Sequence, residues 1–144
     1  MQLALPGPVD HAWEALTDGE HTICWLGRLD VTTITEGGVF DLWHDEGVRS
    51  RHTVLQWRPR HVLALTWDFP DEQPSRVTFT LTAANSATAT LTVHHEHLED
   101  PVPYAAGWHR HLQYLEAYLR GGALPMADFW TGYDNLVELY ESNA

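Results

Sequence analysis

The run Val77-Thr78-Phe79-Thr80-Leu81-Thr82, answered by Ala89-Thr90-Leu91-Thr92-Val93 across the turn residues Asn85-Ser86, constrains this chain more than any other feature. Successive side chains of an extended strand point to opposite faces, so both runs present one apolar face and one face of threonine. A sheet that is apolar on one side needs a cover. Beyond Pro101 and Pro103 the chain supplies one, because Trp108, Leu112, Leu115 and Leu119 recur at helical spacing until Gly121-Gly122 ends the pattern. The class is therefore α+β, with an antiparallel sheet closed by a long helix from about Tyr104 to Arg120.

The short-period pattern reaches back to Leu29. Strands are expected at Leu29–Thr35, Val39–His44, Val48–Trp57, His61–Asp68, Ser75–Ala83 and Ala87–Leu98, separated by turns such as Glu36-Gly37-Gly38, Asp45-Glu46-Gly47 and Arg58-Pro59-Arg60. Such short connections make antiparallel hairpins, and hence a six-stranded meander. Ahead of it, Met1 to Leu5 reads as a brief first strand stopped by Pro6-Gly7-Pro8, and Val9, Trp13 and Leu16 read as a short helix. Thr17 with Glu20 has the form of a capping box that opens a second short helix toward Trp25. Phe129, Tyr133, Leu136, Val137 and Tyr140 predict one more helix over about 126–142, added to a core of about 1–120. No linker or repeat interrupts the chain, and 144 residues, 44% of them hydrophobic, suit one domain.

A formal charge of −12 opposes phosphate backbones and anionic membranes, so neither nucleic acid nor a membrane is expected as a partner. The single cysteine, Cys24, forms no internal disulfide, and in Ile23-Cys24-Trp25-Leu26 it is expected to be a buried, inert thiol. The opening residues lack a basic and apolar leader, so a cytoplasmic location is expected. No phosphate-binding glycine motif or nucleophile elbow is present, and no cofactor is expected.

Val9-Asp10-His11-Ala12-Trp13-Glu14-Ala15-Leu16-Thr17-Asp18, then Trp25-Leu26-Gly27, Gly37-Gly38-Val39-Phe40, Trp57-Arg58-Pro59, Leu65-Thr66-Trp67 and Gly107-Trp108, follow one another in an order with a precedent. From about Val9 to Leu119 the chain resembles the START-like (SRPBCC) superfamily, in the branch named after activators of the heat-shock-protein-ninety ATPase. The resemblance implies a helix-grip fold: a curved sheet around the long helix, enclosing an apolar cavity that holds a small hydrophobic or aromatic molecule. Eukaryotic co-chaperones of this branch carry a separate amino-terminal domain with the main chaperone contacts. Nothing here corresponds to it, so a chaperone partner is not expected.

On that reading the cavity is lined by Phe40, Leu42, Leu65, Trp67, Phe79, Leu81, Leu91, Val93, Trp108 and Leu115. Continuing the alternation past Val93 puts His95 and His97 on the same face, and His111 of the long helix approaches them, which makes these three histidines the polar end. They are also the candidates for acid and base chemistry, whereas Asp68 falls on the opposite face and is expected to be solvated. Two imidazoles at i and i+2 with no carboxylate at ligand spacing do not make a metal site. Arg49 and Arg51 share an outer face, where they meet either an anionic ligand or local acids. Binding is favoured over catalysis; the alternatives are a co-chaperone-like or other interaction protein, and a cyclase-like or hydrolytic enzyme using the cavity histidines. The added final helix allows a homodimer.

Overall fold

The computed structural model describes residues 1–45 and 47–143. A curled antiparallel sheet runs β1 (Gln2–Pro6), β2 (Arg28–Leu29), β3 (Val39–Asp45), β4 (Val48–Arg58), β5 (Val62–Trp67), β6 (Ser75–Asn85) and β7 (Thr88–Glu96). Its spatial order is β1-β7-β6-β5-β4-β3-β2, so the meander is continuous and the first strand closes beside the last. Between β1 and β2 stand the short helices α1 (Val9–Thr17) and α2 (Gly19–Thr22). The helix α3 (Pro101–Leu119) covers the sheet, followed by a 3-10 turn (Met126–Asp128) and α4 (Tyr133–Ser142).

The threonine alternation acts as expected. Phe79 faces Val93, Leu81 faces Leu91 and Leu63 faces Phe79 across the ladders, and all are buried, while the threonines between them are more exposed. Ala106, Trp108, His111, Leu112 and Leu115 form the covered stripe of α3. Trp25, fully buried, ties the layers together: its indole N–H donates to the Ala15 carbonyl of α1 (2.8 Å), and its own carbonyl accepts from His111 Nδ1 of α3 (2.8 Å).

Five boundaries differ from the sequence expectation. The strand at 29–35 shrinks to two residues because its backbone turns to α1 and α2: Ile34 N–H donates to Thr17 O (2.8 Å) and Gly19 N–H to Thr32 O (2.8 Å). The second helix is capped by Asp18, whose carboxylate accepts from Glu20 N–H (2.9 Å), while Thr17 ends α1 with its hydroxyl donating to Trp13 O (2.9 Å). The long helix starts at Pro101, with both prolines inside its first turn, where missing N–H groups cost nothing, and Asp100 capping Val102 N–H (3.1 Å). The last strand stops at Glu96, since His97 turns the chain at φ 65° toward that cap. Finally, α4 begins only after Gly132, at φ 79°, so Phe129 lies outside it and plugs the core instead. Glu46, placed by the sequence in the β3–β4 turn, is outside the described residues.

Candidate functional site

Strand alternation continues along β3 and β4. Phe40, Leu42 and His44 occupy the inner face of β3, opposite His52 and Ser50 of β4, because Phe40 pairs with His52 and Leu42 with Ser50. At this end of the sheet the inner face is polar, and the side chains form a chain of hydrogen bonds. His44 Nε2 is 2.7 Å from Ser50 Oγ, Ser50 Oγ is 2.7 Å from His52 Nε2, and His52 Nδ1 is 2.8 Å from the Thr66 carbonyl. Burial pulls both His44 and His52 down to about 4, against the upward pull of the Thr66 carbonyl on His52, so both are neutral at pH 7.

Beside His44 lies a cavity of about 270 Å³ between the sheet and α3. Trp67, Phe69, Trp108 and Trp130 make aromatic walls, His44 and His111 contribute polar atoms, and Gly107 of α3 leaves a gap in the wall. Tyr104 and Tyr133 lie at the same opening with their hydroxyls engaged, on Glu72 Oε1 (2.8 Å) and the Pro103 carbonyl (2.9 Å). Burial and the Glu72 contact push the Tyr104 phenol well above its ordinary range.

Of the residues expected to line a cavity, Trp67, Trp108 and His111 do so. Phe40, Leu42, Leu65, Phe79, Leu81, Leu91, Val93 and Leu115 are buried in the packed core instead, together with side chains of α1 and α3. His95 is half-buried and closed at both nitrogens: Nε2 contacts Ser75 Oγ (2.8 Å), and Nδ1 accepts from the Trp108 indole (3.1 Å). Its pKa, lowered to about 4 mainly by burial, marks a structural ring. His97 is exposed beyond the strand end. The Trp108 ring stands between His95 and His111, at 6.2 and 5.6 Å from their centroids, so the three histidines do not converge. Among the described residues no three His, Cys, Asp or Glu side chains could hold a metal ion.

Asp68 is half-buried rather than solvated, with Oδ1 enclosed and lacking a hydrogen-bond partner, and it does not line the cavity. Cys24 is only partly buried, contrary to expectation. Arg49 and Arg51 take the local alternative, pairing with Asp41 on the outer face at 3.3 and 2.9 Å, and the Arg51 hydrogen bond, helped by the charge of both arginines, holds its carboxyl below the usual range. Sequence reasoning missed His44, Ser50 and His52. The signal was present in the apolar or small residues alternating with Asp41 and Trp43 on one strand and with the two arginines on the other.

Residues 6–120 match the family described as Activator of Hsp90 ATPase homolog 1-like protein. No curated protein sequence matches the chain significantly. Among solved structures, a protein encoded by gene BPP1335 from Bordetella parapertussis is 30% identical and aligns over 100% of this chain and 85% of its own, with a TM-score of 0.78. DynU16, a protein in the dynemicin biosynthetic locus, is 30% identical over 85% of this chain, with a TM-score of 0.76. This chain spans 47% of DynU16. CalU16 from Micromonospora echinospora, 23% identical over 98% of this chain and 84% of its own, shares the fold with a TM-score of 0.78.

Proposed function

The chain belongs to the Activator of Hsp90 ATPase homolog 1-like family, a branch of the START-like domains, and from that premise we propose that it binds a small aromatic or otherwise apolar molecule between β3, β5 and α3. The observation that carries the reading is the aromatic cavity with its two neutral imidazoles. Its volume, about 270 Å³, lies just below the ligand-pocket range of roughly 300–1,000 Å³, which suits a molecule of one or two rings. A relative in a biosynthetic locus agrees with a metabolite ligand. No described helix is long and apolar enough to cross a membrane, and the proposed setting is the cytoplasm.

Gly107 provides a clean test. A Cβ added there meets no atom within 4 Å, and the residue sits within α3, so Gly107→Leu fills the cavity without backbone strain. Replacing an interior helical glycine adds up to about 1 kcal/mol of helix propensity, so the variant is expected to be at least as stable as the parent. Native mass spectrometry and thermal shift against a panel of one- and two-ring metabolites should show a ligand for the parent and none for Gly107→Leu. A ligand retained by the filled variant would place binding elsewhere.

A further inference from the structure

Four histidines meet the core of this domain at its polar end, and their hydrogen bonds divide them into two kinds. The Thr66 carbonyl can only accept, so His52 carries its proton on Nδ1 and, being neutral, accepts at Nε2. The Ser50 hydroxyl must then donate to His52, which leaves its oxygen to accept from His44 Nε2–H. His44 is thereby held with a bare Nδ1. On the opposite wall the Trp25 carbonyl likewise fixes the proton of His111 on Nδ1 and leaves Nε2 bare. Neither bare nitrogen has a hydrogen-bond partner among the described residues, and both rings line the cavity. His95 is the contrast: Ser75 donates to the Trp67 carbonyl and accepts from His95 Nε2–H, while the Trp108 indole takes up Nδ1.

We infer that the cavity selects ligands bearing a neutral hydroxyl donor, of the phenol or enol class, which bonds to the lone pair of His44 Nδ1 or His111 Nε2, with Ser50 and His52 as the positioning residues that keep His44 in its accepting tautomer. The inference rests on the cavity being a ligand site, and it adds the chemistry of the ligand. No lysine or arginine lines the cavity, the two tyrosine hydroxyls there are already donating, and Glu72 is a further acceptor. A carbonyl or ether oxygen would meet lone pairs at both imidazoles and at Glu72, with the indole N–H groups of Trp67 and Trp130 as the donors left on the walls. A carboxylate or phenolate would add charge to acceptors, to Glu72 and to a protein of net charge −12.

The test compares 2-naphthol, 2-methoxynaphthalene and 2-naphthoate by calorimetric titration of the whole chain at pH 7.5. One charge-free hydrogen bond predicts that the naphthol binds about tenfold more tightly than its methyl ether, and that the naphthoate is rejected. Ser50→Ala should lower the naphthol preference by the part that His44 carries, while His111, held by the Trp25 carbonyl, keeps its bare Nε2. Equal binding of naphthol and ether by the parent overturns the donor rule and leaves the cavity reading standing, whereas no binding of any of the three overturns both. Nitrogen-15 spectra of the unliganded parent check the same point without a variant: a proton on Nε2 of His44 and on Nδ1 of His111 is expected, and the reverse tautomer at either ring overturns the inference.

Discussion

The two ends of the sheet begin from the same pattern and reach different outcomes. Along β6 and β7, Phe79, Leu81, Leu91 and Val93 point inward and are closed into the core with Ala12, Ala15 and Leu16 of α1 and Trp108 of α3. Along β3 and β4 the inward positions end in His44, Ser50 and His52, and the helix wall opposite contains Gly107 and His111, so a cavity persists. Apolar alternation therefore specifies a buried face but not whether that face is filled. The polar side chains among inward positions mark the end beside the cavity, where a buried hydroxyl or imidazole must keep its hydrogen bonds: Ser50 and His52 do so while fully packed, and His44 does so at the cavity wall.

Acid should separate the two ends most strongly. His44, His52, His95 and His111 all titrate at about 4 in the folded protein, below the ordinary 6.5, so the unfolded chain binds more protons between those values. Their contribution is complete above about pH 6.5 and is lost as pH falls toward 4. For the fully enclosed His111 alone that difference corresponds to roughly 3 kcal/mol; His95, partly open to water, contributes less. Denaturant unfolding between pH 7 and 4.5 measures it, and a flat profile would show that the rings are not held neutral.

Leu91→Ala probes the filled end. The side chain is fully buried, and its loss should cost about 3 kcal/mol of stability with little change in ligand affinity. A variant that keeps its stability but loses ligand would erase the distinction between the ends. The smallest effect is expected at the cavity rim, where Trp130 is 53% exposed and rests edge-on against Phe129 and Tyr133. Trp130→Ala should cost no more than about 1 kcal/mol in unfolding experiments. It should still weaken ligand binding several-fold by titration, because it removes one aromatic wall.

Much of this arrangement could be read before any fold was known. Threonine-spaced strands, a tryptophan-bearing helix ended by paired glycines, and short turns between the strands are local signals, and each produced the element expected. The glycine pair closes α3 as Gly122 N–H reaches back to Ala117 O (2.9 Å), with Gly121 at φ 85°. Boundaries moved where a distant partner outcompeted local preference, as when Ile34 bonded to Thr17 rather than to β3. The functional histidines were half visible. His111 was anticipated on the cavity side of its helix; His95 stands on the inner face of β7 as expected, but with both nitrogens engaged; His97 was overextended from a strand that stops at Glu96; His44 stood in an alternation whose inner face was not followed to its end.

The sequence by itself determined the fold class, the order of the meander and which faces are buried, because side-chain periodicity and turn chemistry act over a few residues at a time; that β1 pairs with β7 was decided by the tertiary structure. Only the tertiary structure decided which buried positions pack solidly and which surround space, and which ring nitrogens remain bare. Those outcomes depend on atoms brought together from remote segments, such as the Thr66 and Trp25 carbonyls that set the tautomers of His52 and His111, and no local pattern records which carbonyl a histidine will meet.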